Sequence, residues 1–374
     1  MDALAEGMFK AASKAVLVGT LRQVARLPMT RRTFHKVSES ARGASVAFLR
    51  CRRVLPNSAQ GNLHPDRLQK SALTAAELHR ALSKAKKTLE FVHPGEALTS
   101  LSKGTRLAHG VAVLTFDESF AATAELALPV LRDLKVPALF FVSTGHFDGR
   151  ETLWDQAIHT LVDEVSPAPL SVPWVDRVLQ TDSPTSRARA VRRLLMLLIK
   201  LDEHRLVDRL MELNERAGSP KRFFPLDRML TDVEVERLSQ DPMVSIGAHG
   251  HLHLPFGSIS DEALERELVL PREMLQKLCG SAFADVVSYP FGRLPHVGKR
   301  AITRAREVGY RAGLTALPGV SRPGDHLFTL PRLPMAPDQD SLEAYELQGI
   351  SDAVDEFLLV ATGTFQSRFP DVEG

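Results

Sequence analysis

Short apolar runs alternate with amphipathic stretches along the middle of the chain. The runs at residues 111–115 and 138–142 are apolar almost throughout, which is typical of parallel strands buried on both faces. Between them, residues 121–134 show the pattern of a helix. A strand, a helix and a strand in this order predict a parallel α/β sheet or barrel. The same rhythm predicts further strands at residues 44–50, 243–248, 286–289 and 310–314.

Helix starts carry their own signals. Thr74 followed by Glu77 predicts a capping box that opens a helix to about residue 90. Thr231 is expected to open another helix in the same way. Ser260 precedes a long predicted helix, which Pro271 is expected to kink or split.

Residues from about 152 to 230 differ from the rest, because strand signals vanish and helical spacing dominates, as at 187–200 and 204–216. We interpret this stretch as a helical insertion in one barrel-like domain. It serves either as a lid or wall beside a site or as packing without substrate contact. The predicted organisation is an N-terminal helical extension at 1–43, a barrel domain at 44–350 and a C-terminal helix or tail at 351–374.

Composition narrows the possible classes of protein. The 374 residues are 44% hydrophobic and 25% charged, as in an ordinary globular protein. Two cysteines exclude a disulfide-rich scaffold and a Cys-based zinc site, so a metal would need His and carboxylate ligands. No segment reaches the roughly 18 apolar residues of a membrane span. The start has no signal-peptide pattern, and we expect a cytoplasmic or inner-membrane-associated protein.

The N-terminal part is basic. Residues 1–110 hold 19 Lys and Arg against 7 Asp and Glu, and the remainder holds 28 against 38. The scattered positive charges favour a solvated surface over a binding face for an anionic membrane or polymer. Residues 4–27 are interpreted as a basic amphipathic helix that either packs on the domain or makes peripheral membrane contact. No nucleic-acid partner is predicted.

Side chains that suit a metal-activated hydrolase follow two of the predicted strands. Asp117 and Glu118 end one apolar run, and His249, His251 and His253 follow another. Catalytic groups of parallel α/β folds collect at the carboxyl edge of the sheet. Acids and imidazoles there can supply a general base and metal ligands. The spacing leaves open whether His251 belongs with the other two, and a helix-capping acid and a surface His cluster are the structural alternatives.

Three short motifs occur in order at these strand ends. They are Thr-Phe-Asp-Glu at 115–118, Ile-Gly-Ala-His-Gly-His-Leu-His at 246–253 and Ser-Tyr-Pro-Phe-Gly at 288–292. With them, the chain resembles the polysaccharide deacetylase family, also called the NodB-homology group or carbohydrate esterase family 4. The resemblance spans residues 111–335. A Trp-Asp element at 154–155 and Leu-Pro-Arg at 330–332 bring it closest to a bacterial branch.

The resemblance implies a distorted (β/α)7-type barrel and a hydrolase that removes N-acetyl groups from an amino-sugar polysaccharide or glycolipid. It also implies one divalent metal, usually zinc, with Glu118, His249 and His253 as ligands. Asp117 would be the general base, and the backbone N–H of Phe291 would hold the oxyanion. The expected substrate-binding residues are Trp154, Asp155, Tyr289 and Pro290.

Several positions depart from the family pattern. They are Glu118 for Asp, Gly250 for a hydroxyl residue, Ser288 for an Arg that orients the base, and Cys51-Arg52 for a Tyr-His pair. No Leu-x-His motif supplies a general acid, and Arg332, in the corresponding region, is our third candidate catalytic residue. Two alternatives therefore stand beside the deacetylase: a carbohydrate-binding pseudoenzyme on the same fold, and a hydrolase of non-sugar amides.

Overall fold

The structure of the protein is a computed structural model, and it describes residues 45–57, 72–104, 110–147, 153–217 and 228–335. The predicted N-terminal extension at 1–43, with its basic helix, and the predicted C-terminal segment at 351–374 lie outside the described residues.

The centre of the fold is a curled sheet of parallel strands. The strands are β1 (Val46–Cys51), β2 (Arg53–Leu55), β3 (Ala72–Thr74), β4 (Glu90–Phe91), β5 (Val111–Phe116), β6 (Ala138–Val142), β7 (Val244–Ala248), β8 (Phe283–Ser288), β9 (Ala312–Leu314) and β10 (Leu333–Pro334). Seven of them follow one another in the order β10-β1-β5-β6-β7-β8-β9, β4 also pairs with β5, and β2 and β3 form a separate pair. Leu330, just before β10, forms a parallel bridge with Leu314 of β9, which brings the two edges of the sheet together. The predicted distorted barrel is confirmed.

Helices cover the outside of this sheet. They are α1 (Ala75–Ala85), α2 (Pro94–Lys103), α3 (Ala121–Leu134), α4 (Trp154–Val165), α5 (Pro184–Leu198), α6 (Glu203–Ala217), α7 (Asp232–Ser239), α8 (Asp261–Cys279) and α9 (Leu294–Val308). Both predicted capping boxes form, at Thr74 before α1 and at Thr231 before α7. Of the two expectations for Pro271, a kink or a split, the split is wrong, because α8 runs through it as one helix. Pro271 is buried, so packing against the rest of the fold offsets the backbone hydrogen bond that proline cannot make.

The strands carry two apolar faces, as the continuous apolar runs predict. Along β5, Val111 and Val113 point into the barrel, whereas Ala112, Leu114 and Phe116 contact the outer helices. The interior is therefore filled by side chains, and it becomes polar only at the carboxyl end of the strands.

The region between β6 and β7 is helical, as predicted. Its described helices are α4, α5 and α6, followed by α7 directly before β7, and α4 packs against both α5 and α6. The first turn of α4 lies at the carboxyl end of the barrel, because Trp154 donates a hydrogen bond to the carbonyl of His253 over 3.0 Å. Within the described ranges, none of the helices combines the length and the apolar character that crossing a bilayer requires.

Candidate active site and metal centre

The predicted acids and histidines converge at the carboxyl end of the barrel. Asp117 and Glu118 follow β5, and His249 and His253 follow β7. All four side chains are buried. One ligand atom from each of Glu118, His249 and His253 lies within 4.8 Å of the other two.

Asp117 is held by an arginine from the other end of the chain. Arg332 Nη1 donates to Asp117 Oδ1 over 2.7 Å, and its Nη2 donates to Ser288 Oγ over 2.9 Å. The Arg332 side chain is only 1% exposed. Burial by itself would raise the pKa of Asp117, but the Arg332 charge outweighs burial and holds that pKa well below its usual range. Asp117 is therefore ionised, and no described residue hydrogen-bonds its second oxygen.

Glu118 is paired with a different arginine. Arg52 Nε lies 2.8 Å from Glu118 Oε1, and Arg52 Nη2 lies 3.0 Å from Oε2, which is a bidentate pair. Burial and the nearby Asp155 carboxylate raise the pKa of Glu118, and the Arg52 charge opposes this rise. Gln156 Nε2 also donates to Oε2 over 3.4 Å. Oε1 accepts only from Arg52 among the described residues, so its second lone pair leaves room for a ligand bond.

The two imidazoles face each other. Nδ1 of His249 lies 2.8 Å from the carbonyl oxygen of Ser288, and Nδ1 of His253 lies 3.1 Å from Oδ1 of Asp155. Both partners are acceptors, so each Nδ1 carries the proton. Burial lowers the pKa of His249 to about 3. Burial would also lower the pKa of His253, but the Asp155 carboxylate reverses the direction and raises it.

This donor set fits a divalent metal. The Nε2 atoms of His249 and His253 are 3.2 Å apart. Because both Nδ1 atoms carry the proton, the two Nε2 lone pairs face each other and repel. A proton or a metal ion between them removes this repulsion. Two nitrogens at about 2.0–2.1 Å from a tetrahedral zinc ion are separated by roughly 3.3 Å. A carboxylate within reach of both completes the three protein ligands of a catalytic site.

His251 is turned away from this group. Its Nδ1 lies 2.9 Å from the hydroxyl of Thr144. Among the described residues, the group whose ligand atoms lie close enough together to hold one metal ion therefore contains His249 and His253 but not His251. This answers the question that the spacing of the three histidines leaves open.

A buried acid that sequence reasoning missed fixes the histidine loop. Glu267 of α8 accepts hydrogen bonds from the backbone N–H groups of His251, Leu252 and Leu254. A Cβ atom at Gly250 would lie 2.5 Å from Glu267 Oε2, and Gly250 has a φ of 76°. Burial raises the pKa of Glu267 to about 7. The glycine that departs from the family pattern thus makes space for this carboxylate.

The Pro-Phe-Gly turn after β8 presents Phe291 to the site. Phe291 has a φ of 61°, and its ring centroid is 4.9 Å from that of His253. Its N–H donates to no acceptor among the described residues, so it is available to an oxyanion. Gly292 is required here, because a Cβ atom would lie 2.4 Å from the backbone nitrogen of Ala316.

The expected substrate-binding residues lie in different surroundings. The partly buried ring of Trp154 is 5.8 Å from that of Phe291, at the edge of the site. Asp155 is 1% exposed and contacts His253. Tyr289 points into the core, where its hydroxyl donates to the carbonyl of Phe328 over 3.0 Å. Pro290 is buried beside Gly250.

Backbone strain concentrates at this site. Six described residues other than glycine have positive φ, and four of them, Glu118, Ser119, His253 and Phe291, belong to the site or adjoin it. Such conformations cost about 1–3 kcal/mol each and persist where the surroundings enforce them. The strained backbone at these residues therefore lowers the stability of the fold while it orients the side chains and N–H groups of the site.

Sequence reasoning also missed the orienting roles of Arg52, Asp155 and Ser288, all of which contact a predicted base or ligand. The available signal was position, because Arg52 and Ser288 both lie at strand ends on the same edge as Asp117.

Comparisons with known proteins agree with this geometry. The family model described as polysaccharide deacetylase matches residues 202–313. The structure resembles Streptococcus pyogenes deacetylase PplD in complex with acetate, with 15% identity, a TM-score of 0.51, and coverage of 83% of this chain and 99% of that chain. It also resembles IcaB from Ammonifex degensii, with 17% identity, a TM-score of 0.51, and coverage of 84% and 98%. No curated protein sequence matches the chain.

These comparisons bear on two predictions. The likeness to the two solved structures supports the predicted fold. Because the sequence identities are 15% and 17%, it supports the fold alone. The family match confirms the resemblance found in the motifs and, with it, the predicted enzyme class, a hydrolase of carbon–nitrogen bonds other than peptide bonds.

Proposed function

From the match of residues 202–313 to the polysaccharide deacetylase family model, we propose that this chain is a metal-dependent hydrolase of N-acetyl groups on an amino-sugar polysaccharide or glycolipid. The observation that carries the proposal is the pairing of an ionised, arginine-held Asp117 with the neighbouring Glu118, His249 and His253.

Glu118, His249 and His253 would hold the cation, with zinc as our choice because imidazole and carboxylate ligands with an open position suit it. A bound divalent cation supplies polarisation of the amide carbonyl and a water of lowered pKa. Asp155 and the Ser288 carbonyl keep the two imidazoles in the tautomer that presents Nε2.

Asp117 would accept the proton of the attacking water on the oxygen that Arg332 leaves open. Arg332 is then a positioning residue that fixes the orientation of the base and keeps it ionised. The Phe291 N–H would donate to the developing oxyanion. Trp154 offers an aromatic face to a sugar ring at the rim of the site.

Departures from the family pattern favour the enzyme over the pseudoenzyme, because two of them have compensating partners. Ser288 replaces an arginine, yet Arg332 reaches both Ser288 and Asp117. Glu118 is longer than the usual Asp, and Arg52 engages both of its oxygens.

The test is acetate release from N-acetylglucosamine oligomers and from simple non-sugar amides, each with and without a chelator. We expect release from the oligomers that stops with the chelator and returns with added zinc. Release that survives metal removal would contradict the metal-dependent mechanism. Equal release from the simple amides would favour the non-sugar hydrolase, and no release from any of them would favour the pseudoenzyme.

A further inference from the structure

A third arginine, besides Arg332 and Arg52, lies in the mouth of the barrel, and the proposed chemistry does not use it. Arg50 is near the end of β1, in register with Thr115 of β5 and Pro334 of β10. Phe48 and Val46, two and four residues earlier, belong to the apolar cluster inside the barrel. Because strand side chains alternate between faces, Arg50 points into the same interior, at its carboxyl end.

The carboxylates of the site are already paired with other groups. Arg332 pairs with Asp117 at 2.7 Å, and Arg52 pairs with both oxygens of Glu118. The third carboxylate, Asp155, contacts His253 at 3.1 Å. Arg50 forms no hydrogen bond or ion pair through its guanidinium with any described residue.

Arg50 nevertheless remains charged. Burial and the nearby Arg332 lower its pKa to about 10, so it is protonated at neutral pH. The charges of Asp117 and Glu118 oppose this lowering of the pKa of Arg50 in part. Strand register puts Arg50 opposite Thr115, two residues before Asp117. A largely buried charge without a counter-ion is costly, and natural proteins usually pair such groups. A divalent cation in the neighbouring site would add further positive charge.

We propose that Arg50 binds an oxyanion substituent of the substrate, a carboxylate or a phosphate, beside the amide that is hydrolysed. This inference rests on the proposed function and narrows its substrate class to N-acetylated amino sugars that carry negative charge. A guanidinium suits this task because its planar fork matches the geometry of both anions. A neutral homopolymer would leave Arg50 buried and unpaired in the complex.

The test measures binding, so that it does not depend on turnover. Calorimetric titrations of the metal-loaded protein compare N-acetylglucosamine with N-acetylglucosamine 6-phosphate and with N-acetylmuramic acid, its carboxylate-bearing relative. We expect at least one anionic sugar to bind about 10-fold more tightly than the neutral one, in the range of a desolvated charge pair. The stronger of the two anionic sugars identifies which oxyanion the site prefers.

Matched variants assign that preference to Arg50. Arg50→Gln should reduce the ratio of anionic to neutral affinity to near one, and Arg50→Lys should restore part of it. Arg132→Gln removes the same charge near Asp241, at the opposite end of the barrel, and should keep the native ratio. Circular dichroism and thermal melting establish that each variant is folded.

Two results would overturn the inference: equal affinity of the native protein for neutral and anionic sugars, or a folded Arg50→Gln variant that keeps the native ratio. Both are independent of acetate release. A protein that prefers anionic sugars and releases no acetate would contradict the proposed function and leave the role of Arg50 standing.

Discussion

Two adjacent acids, Asp117 and Glu118, are each paired with an arginine, yet the two pairs differ in burial and geometry. The Arg332 side chain is 1% exposed and engages one oxygen of Asp117. The Arg52 side chain is 21% exposed and engages both oxygens of Glu118. The pKa of Asp117 is lowered and that of Glu118 is raised. We propose from this difference that one Arg–carboxylate pair prepares a base and the other orients a metal ligand.

The largest expected effect comes from removing the base. Asp117→Asn keeps the size of the side chain but cannot accept the proton, so kcat/KM for acetate release should fall by about 10³-fold. Initial rates with N-acetylglucosamine oligomers measure this. A variant with native rates would show that the buried pair with Arg332 is structural.

Arg332 is expected to act through Asp117. Arg332→Gln should lower kcat by about 10²-fold, because the base loses its orientation. Without the guanidinium, burial raises the pKa of Asp117, so activity should be lost at a higher pH on the acidic side. The pH profile of kcat/KM measures this shift. Arg332→Lys, which keeps the charge, is the control and should shift the acidic limb less; an unshifted limb in Arg332→Gln would contradict the role.

Arg52 is expected to act on the metal. Arg52→Gln removes the bidentate contact with Glu118 and leaves only the donor from Gln156, so the ligand is less well oriented. Zinc affinity should then fall by about 10-fold, the lower part of the usual range for residues that orient a ligand. Competition with a chromophoric chelator measures the affinity. The Arg332→Gln variant provides the contrast, since its zinc affinity should change less. Unchanged affinity in Arg52→Gln would mean that Glu118 is positioned without its arginine.

The smallest effect is expected from breaking a solvent-exposed Arg–Glu pair outside the site. Arg228 contacts both oxygens of Glu234 at 2.7 Å, but its side chain is 45% exposed. Arg228→Ala should therefore cost less than about 1 kcal/mol at neutral pH. The pair lowers the pKa of Glu234 to about 2, below its unfolded value of about 4.3, so its stabilisation is present above that value and is lost as the pH falls. Urea unfolding of both proteins at pH 7 and at low pH checks this, and a larger cost that persists in acid would contradict it.

The sequence was sufficient for the parts of the site that follow from local pattern. The apolar runs located the strands, and the strand ends located Asp117, Glu118, His249 and His253. Helix α3 has the predicted bounds of residues 121–134. These features depend on neighbouring residues, whose spacing is visible in the chain.

The partners of these residues could not be predicted, because they depend on how the barrel closes. Arg332 lies 215 positions after Asp117, and Glu267 reaches the histidine loop from the helix that follows it. No local signal marks such a contact. Alternation along β1 does place Arg50 on the inner face. That its guanidinium has no partner among the described residues follows only from the structure, in which other groups pair with the carboxylates of the site.

The division of labour between the two acids is tested most directly by zinc content measured in parallel on Asp117→Asn and Glu118→Gln. We predict about one zinc ion per chain in Asp117→Asn, with acetate release lost, and strongly reduced zinc in Glu118→Gln. Full zinc content in Glu118→Gln, or loss of zinc in Asp117→Asn, would contradict the assignment of base and ligand.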